Sequence, residues 1–408
     1  MEYQYATLSN GIRVIHKQVD SIVAHCGIII NTGSRDESER EQGIAHFIEH
    51  VIFKGTQKRK AFHILNRLED VGGELNAFTT KEDTCIYASF IEKYYDRAIE
   101  LISDIVFNST FPEKELEKEK DVVIDEINSY KDTPTEAIFD DFEGILFAGH
   151  PLGKNILGKK ANIKNFKRQE ILNFIKNNYH TNEIVISSVG KIQFTKLLRI
   201  IEKYISPIPQ NLRTTQRIPF ENYIPQHKSI RKSYYQTHCV IGNVAYNHLN
   251  EKKNSLILLN NILGGPGLNS KLSLAIREKY GFCYNIESLY TPYFDTGIFG
   301  IYLATDKEFV EKTISLTFKE LEKLKKNKLS DLQLKKYKQQ LIGQIAISNE
   351  SNSLEMATMG KSILVYGQVE TIEEINQKIE CLTAEQLIEV ANEIFNTDNL
   401  SMLTFESK

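Results

Sequence analysis

A proline-rich stretch in the middle of the chain divides it into two halves of similar length. Residues 206–227 carry four prolines among mostly polar side chains, and proline disfavours both helix interiors and central strands. A chain of 408 residues is also long enough for two domains of the usual size, about 100–200 residues each. The sequence predicts three segments: an N-terminal domain (1–210), a linker (211–227) and a C-terminal domain (228–408).

The second half resembles a copy of the first. Residues 23–29 (VAHCGII) resemble residues 236–242 (QTHCVIG), and residues 120–127 (KDVVIDEI) align with residues 338–345 (KQQLIGQI). Strand-like and helix-like patterns are mixed throughout both halves. We therefore predict an α+β fold of two similar α/β repeats, each a mixed or antiparallel sheet with helices packed on one face. The alternative is that any two amphipathic segments look alike.

Composition and charge exclude several classes of protein. The net charge of −3 argues against a nucleic-acid partner, because such domains usually carry a basic excess. The sequence contains no apolar run of the length that a membrane-spanning helix needs, so we expect no membrane association. The five cysteines form no CxxC pair, and the first residues lack a signal-peptide pattern. We therefore expect a cytoplasmic protein with reduced thiols.

The sharpest local signal is an inverted zinc motif, HxxEH. His46 and His50 are one helical turn apart within an apolar-periodic segment over residues 41–53, so both imidazoles project from one side of the helix. Two such nitrogens can bind one Zn²⁺, and Glu49 lies between them as a candidate general base. The alternative is a pair of structural or surface histidines on an amphipathic helix.

A catalytic zinc site needs a third protein ligand from another element. The acidic segment over residues 113–130 is the best source, because Glu119, Val122, Val123, Glu126 and Tyr130 share one helical face. Carboxylates within an apolar face are rarely left unpaired. We choose Glu126 as the ligand and Glu119 as a supporting carboxylate near the metal or the substrate.

These motifs together resemble the pitrilysin family of zinc peptidases, which includes insulin-degrading enzyme and the mitochondrial processing peptidase. The resemblance covers essentially the whole chain and is closest to the short, processing-peptidase-like branch. It includes FKGT at residues 53–56, after the HxxEH segment, GGELNAFT at residues 72–79, and REKYGFCY at residues 277–284. Glu126 also follows His50 by the interval that is usual for the family's third ligand, and Glu119 matches a second family glutamate.

The resemblance implies a zinc metalloendopeptidase with one Zn²⁺ per chain, held by His46, His50 and Glu126. Glu49 would be the general base, and Glu119 a further catalytic-site carboxylate. Arg277 and Tyr284 would hold the substrate backbone and stabilise the oxyanion. The second half has no HxxEH and would serve as a scaffold that encloses a chamber with the first half.

Peptides are the substrate class that the resemblance implies. An edge strand near the HxxEH helix would pair with the main chain of an extended peptide. The residues expected in that strand are Asn76, Ala77, Phe78 and Thr79. Substrates would be unfolded peptides or short polypeptides.

The resemblance also implies an assembly of two chains. The chain carries both the zinc motif and the Arg–Tyr element, which heterodimeric members divide between subunits, so a homodimer is the simpler expectation and a heterodimer with a related chain the alternative. Pro266 and Cys283 depart from the family pattern beside the Arg–Tyr element. Two other functions stay open: a non-catalytic relative that lost the chemistry, and a zinc enzyme acting on something other than peptides.

Overall fold

The computed structural model describes residues 3–407, which form eleven β-strands and fourteen α-helices. The strands are β1 (Tyr3–Thr7), β2 (Arg13–Gln18), β3 (Val23–Ile30), β4 (Glu74–Thr79), β5 (Thr84–Ile91), β6 (Ile184–Gly190), β7 (His227–Arg231), β8 (Thr237–Val244), β9 (Cys283–Pro292), β10 (Gly297–Thr305) and β11 (Ser401–Glu406).

The helices lie between and after these strands. They are α1 (Ile44–Val51), α2 (Ala61–Glu69), α3 (Tyr95–Asn108), α4 (Glu113–Asp132), α5 (Pro134–Leu146), α6 (Lys160–Asn165), α7 (Arg168–Asn178), α8 (Phe194–Ile205), α9 (Lys253–Gly264), α10 (Val310–Lys326), α11 (Asp331–Ser348), α12 (Asn352–Tyr366), α13 (Ile372–Glu380) and α14 (Ala384–Ile394). Within the described range, none of these helices combines the length and apolarity that spanning a membrane requires.

The chain forms two compact units, and each is discontinuous in sequence. The first contains the chain up to Asn128, then Lys154–Ile218 and Ser348–Val369. The second contains Ser129–Gly153, Pro219–Ile347 and the chain from Glu370 onwards. Residues 209–226 have no helix or strand, and the chain passes from the first unit to the second within them.

The two sheets share the same order of five strands, and the first sheet has β1 as an additional strand at its edge. The first has the order β1-β2-β6-β3-β5-β4 and the second β7-β11-β8-β10-β9. Each contains one parallel pair, β2 with β6 and β7 with β11, while every other pairing is antiparallel. This matching order confirms the prediction of two similar α/β halves with mixed sheets.

Each unit takes one helix from the other half of the sequence. In the first unit, α12 lies against β3 and β6 and buries Met356 and Met359 beside Ile29. In the second unit, α5 lies against β8 and β11 and buries Ile138 beside Phe405. The sequence indicated two consecutive halves and gave no sign of this exchange.

Helices cover both faces of the first sheet. Ile29 of β3 contacts α12, while Ile28 and Ile30, which point to the opposite face because side chains alternate along a strand, are also buried. Helix α3 contacts β3 and β5. The helix on one of these faces, α12, comes from the other half of the sequence.

Candidate active site

The short helix α1 carries the HxxEH motif in the first unit. Gly43, the residue before it, has a left-handed backbone with φ of 95°, which glycine adopts at little cost. His46 is buried, whereas Glu49 and His50 are partly exposed. The His46 and His50 rings lie one turn apart, with centroids separated by 4.6 Å, as the spacing predicted.

Helix α4 brings Glu126 to the two imidazoles. Its Oε2 lies 3.2 Å from His50 Nε2 and 3.7 Å from His46 Nε2. One donor atom from each of the three residues lies within 4.8 Å of the others. The structure thus brings together the three residues that we proposed as metal ligands. Among residues 3–407 it is the single group of three or more His, Cys, Asp or Glu with such geometry.

The donor atoms fit a divalent cation such as zinc. Glu126 Oε2 is buried and makes no hydrogen bond of acceptable geometry, although His50 lies close to it. Two imidazoles and one carboxylate are a usual ligand set of catalytic zinc. Burial, and then the neighbouring His50, lowers the pKa of His46 to about 3, which favours the neutral imidazole that a metal binds.

Glu119 supports His50 from behind. His50 Nδ1 lies 3.3 Å from Glu119 Oε1, and Lys54 Nζ lies 2.8 Å from Glu119 Oε2. Burial alone would raise the pKa of Glu119, but its bonds to His50 and Lys54 hold it below the ordinary value. A carboxylate on the far nitrogen fixes the ring orientation of a metal-binding histidine. Sequence reasoning placed Glu119 near the site but missed Lys54.

The pKa of His50 is raised. Burial lowers it, but the hydrogen bond to Glu119 and the charge of Glu126 act more strongly in the opposite direction. These two carboxylates flank the ring on its two nitrogen atoms. The two carboxylates create a negative field around the His50 ring, which favours positive charge. A cation bound at Nε2 would lie in the same field.

Glu49 lies in the electrostatic field of His50 and Glu126. Burial raises its pKa, while Thr79 and the positive field of His50 oppose the rise. Its Oε2 is buried without a hydrogen-bond partner. The charge of Glu49 also contributes, after burial, to a raised pKa of the buried Tyr179. A carboxylate with a raised pKa and an unused oxygen suits a general base.

The proposed substrate strand is β4. It is one of the two terminal strands of the first sheet and pairs with β5 alone. Asn76 and Phe78 are exposed, whereas Ala77 and Thr79 are half-buried. Helix α1 contacts this strand, and Thr79 lies beside Glu49. The structure therefore places all four predicted residues on one sheet edge next to the HxxEH helix.

One detail of α4 differs from expectation. Val122 was expected on the face shared by Glu119 and Glu126, yet its side chain is 50% exposed. Val123 and Ile127 are the buried apolar residues there. At about 100° per residue, Val122 lies on the opposite side of Glu119 from Val123 and Ile127, so it is turned away from the buried side of the helix.

Arg277 and Tyr284 lie in the second unit, close to each other. Arg277 is in a π-helical segment, Ser273–Glu278, and Tyr284 is in β9. The guanidinium carbon lies 5.8 Å from the Tyr284 ring centroid, and the tyrosine is 83% exposed. Both side chains are therefore accessible to solvent within the second unit, which a substrate-binding role requires.

The second unit has an amide pair where the first has ligands. Gln344, which aligns with Glu126, accepts a hydrogen bond of 2.6 Å from Asn261 Nδ2. Asn261 belongs to α9, a helix of the second repeat. Neutral amides bind zinc poorly compared with imidazole and carboxylate, so the chemistry of the second unit does not favour a metal.

Comparison with known proteins identifies the family. The sequence model of Insulinase (Peptidase family M16) matches residues 13–160, and that of the Peptidase M16 inactive domain matches residues 165–341. An uncharacterized zinc protease of Bacillus subtilis (strain 168), YmxG, is 30% identical over 96% of this chain and 95% of its own. The chain belongs to peptidase family M16. The pitrilysin resemblance is thereby confirmed, and the residues matched by the N-terminal model include the candidate ligands His46, His50 and Glu126.

A further relative and two solved structures agree with this chain in length or fold. An uncharacterized zinc protease of Rickettsia bellii (strain RML369-C) is 30% identical over 98% of this chain and 96% of its own. The crystal structure titled peptidase M16 inactive domain from Pseudomonas fluorescens has a TM-score of 0.93 at 20% identity, over 100% of this chain and 98% of that one. A protease from Helicobacter pylori has a TM-score of 0.90 at 22% identity, over 99% of each chain. The fold is therefore that of M16 proteins.

Proposed function

We propose that this chain is a zinc metalloendopeptidase that hydrolyses peptide bonds of unfolded peptides or short polypeptides. The observation that carries the proposal is the convergence of His46, His50 and Glu126 beside a buried, unpaired oxygen of Glu49. Membership of family M16 and the zinc protease names of its relatives support it.

The proposed chemistry uses one metal ion and one base. When bound by His46, His50 and Glu126, zinc would lower the pKa of a water molecule and polarise the scissile carbonyl. Glu49 accepts a proton from the attacking water and delivers it to the leaving amine. Its raised pKa suits this exchange, because a base works best when its pKa lies near the operating pH.

The substrate would bind along β4. The free side of this terminal strand offers main-chain N–H and C=O groups to an extended peptide, which adds to the sheet as a further strand. Such binding depends on the peptide backbone, so it selects for unfolded chains more than for one sequence. The exposed side chains of Asn76 and Phe78 would then add preference at alternate positions.

Two further parts of the proposal come from the family resemblance. Arg277 and Tyr284 are proposed as donors to the substrate carbonyl, a role that their neighbouring positions and exposure permit. The chain is proposed to act as a homodimer in the cytoplasm. Light scattering of the active protein measures the mass directly, and an active monomer contradicts the dimer.

The test is hydrolysis of a fluorogenic peptide that lacks stable structure. We expect cleavage by the purified chain, loss of cleavage with a chelator and recovery with added zinc. Glu49→Gln should keep its zinc, because Glu49 is not a ligand, yet lose about 10²–10⁴-fold in turnover. The matched control is Glu69→Gln, an exposed residue of α2, which should leave the rate unchanged.

The outcomes separate the alternatives. A folded, zinc-loaded chain that cleaves no peptide indicates a non-catalytic relative or an enzyme for other substrates. Cleavage that survives complete removal of metal contradicts the proposed chemistry. Full activity in Glu49→Gln removes Glu49 as the base and leaves the metal site to be tested separately.

A further inference from the structure

The metal-binding helix is short and depends on its surroundings for position. Helix α1 has eight residues, and isolated helices shorter than about 12 residues are marginal in water. His46, Glu49 and His50 all belong to it. Whatever fixes the beginning of α1 therefore fixes two of the three candidate ligands and the candidate base.

The first amides of α1 are bound by one carboxylate from outside the helix. Gly43, at the N-cap, has no side chain that could accept from them. Glu37 takes this role: the N–H of Gly43 donates to its Oε2 and the N–H of Ala45 to its Oε1, both at 2.9 Å. One side chain thus satisfies two of the N–H groups that every helix leaves unpaired at its start.

Glu37 is buried at an energetic cost. Its residue is 3% exposed, and burial raises its pKa to about 8, opposed by the N–H groups of Ala45 and Gly43 and by Lys154. A carboxyl group kept in such a place contributes nothing to solubility. Lys154 also donates to the Glu37 main-chain oxygen at 3.3 Å and pairs with Glu39 at 3.2 Å, which holds the segment that carries Glu37.

A second contact holds the same end of the helix. Gly158 has φ of 75°, and a Cβ atom on it would lie 2.4 Å from the Cα of Gly43. A Cβ atom on Gly43 would in turn lie 2.8 Å from the main-chain oxygen of Leu157. The backbone of the loop that contains Leu157 and Gly158 therefore contacts the N-cap directly, so that this loop and the Glu37 carboxylate both contact the start of α1.

We infer that Glu37 is a positioning residue of the metal site. By binding the amides of Gly43 and Ala45, its carboxylate sets where α1 begins, and so holds His46 and His50 in the arrangement that one cation requires. When the group is ionised, its charge also complements the positive end of the helix. The inference rests on the proposed function, since it concerns the same metal site.

The experiment compares zinc affinity, measured by competition with a chromophoric chelator, with thermal stability of the metal-free full chain. Glu37→Gln keeps the shape but places an N–H₂ group against a backbone N–H. The matched control is Thr383→Ala, which removes the N-cap of α14, where the Thr383 hydroxyl accepts from Gln386 N. Both variants lose a helix cap, but only one of the helices carries ligands.

We expect Glu37→Gln to weaken zinc binding by about 10–100-fold, the usual effect of losing a group that orients a ligand. Thr383→Ala should lower the melting temperature and leave zinc affinity within about twofold of wild type. If Glu37→Gln does not fold, Glu37→Asp, which keeps the charge but is too short to reach both amides, should weaken binding by about tenfold.

Three results overturn the inference. Zinc affinity equal to wild type in the Glu37 variants shows that the cap does not position the site. An equal loss in Thr383→Ala shows that general destabilisation is the cause. A wild-type chain that binds no zinc overturns the proposed function, and the inference with it, whereas the first two results leave the proposed function standing.

Discussion

The exchange of helices predicts that a residue late in the sequence stabilises the unit that contains the candidate metal ligands. Met359 of α12 is 1% exposed and packs with Ile15, Ile29 and Val185 of the first sheet. Truncating a buried Met to Ala costs about 2–5 kcal/mol, from lost burial and the cavity left behind. Since every 1.4 kcal/mol is a tenfold change in an equilibrium constant, Met359→Ala should raise the opening equilibrium of this unit by about 30-fold or more.

Hydrogen exchange followed by mass spectrometry locates this loss along the chain. In Met359→Ala, peptides from β3 and β6 should lose protection, whereas peptides from β8 and β10 should keep it. Ile138→Ala is the reciprocal control, because this fully buried residue of α5 packs with Val240 and Phe405 of the second sheet. It should expose β8 and spare β3.

The opposite pattern would refute the reasoning. If Met359→Ala exposes the strands of the second sheet, α12 does not belong to the first unit. If both variants expose both sheets equally, the two units unfold together, and the stability of one cannot be assigned to its own contacts.

Two further predictions concern charged residues of the first unit. Glu119→Gln should weaken zinc binding by about 10–100-fold, because the carboxylate on His50 Nδ1 loses its charge; chelator competition measures this, and unchanged affinity contradicts the supporting role. Asp36→Asn should destabilise the chain by about 3–5 kcal/mol at pH 7, because it removes the buried carboxylate that Arg213 and Arg217 share and leaves only Glu82, 4.0 Å from Arg217. Denaturant unfolding measures this loss, and a loss below about 1 kcal/mol, the scale of a surface pair, contradicts the prediction. Burial raises the pKa of Asp36, but Arg217, the N–H of Gly33 and Arg213 together lower it by more. The pKa of Asp36 is therefore below its ordinary value. Its contribution is therefore present above the unfolded value of about 3.9 and is lost at lower pH, so that the difference between wild type and Asp36→Asn should shrink at pH 3.

The local part of the site could be predicted from the sequence. His46, Glu49 and His50 lie on one helix, and helical spacing alone places them together. Helical spacing alone did not separate Glu126, our choice of third ligand, from Glu119, which is two turns away on the same face. Family resemblance favoured Glu126, and the structure places Glu126 against both imidazoles and Glu119 behind His50.

The non-local parts could not be predicted. The apolar residues of α12 show that one side of this helix is buried, but no pattern states which sheet it covers. Glu37 lies outside any helix and is separated in sequence from the amides that it binds, so the usual N-cap signature, a Ser, Thr, Asp or Asn directly before the helix, is absent. Contacts of this kind depend on which segments of the chain the tertiary fold brings together.

Zinc content per chain tests the central claim most directly. Elemental analysis of the purified full chain should give one zinc per chain in the wild type and none in His50→Ala, together with loss of peptide hydrolysis. The control is His25→Ala, because His25 lies in β3 and is outside the candidate ligand group. This variant should have the same zinc content as the wild type. A wild-type chain that hydrolyses peptide without metal, or a His50→Ala chain that retains its full zinc, would contradict the account.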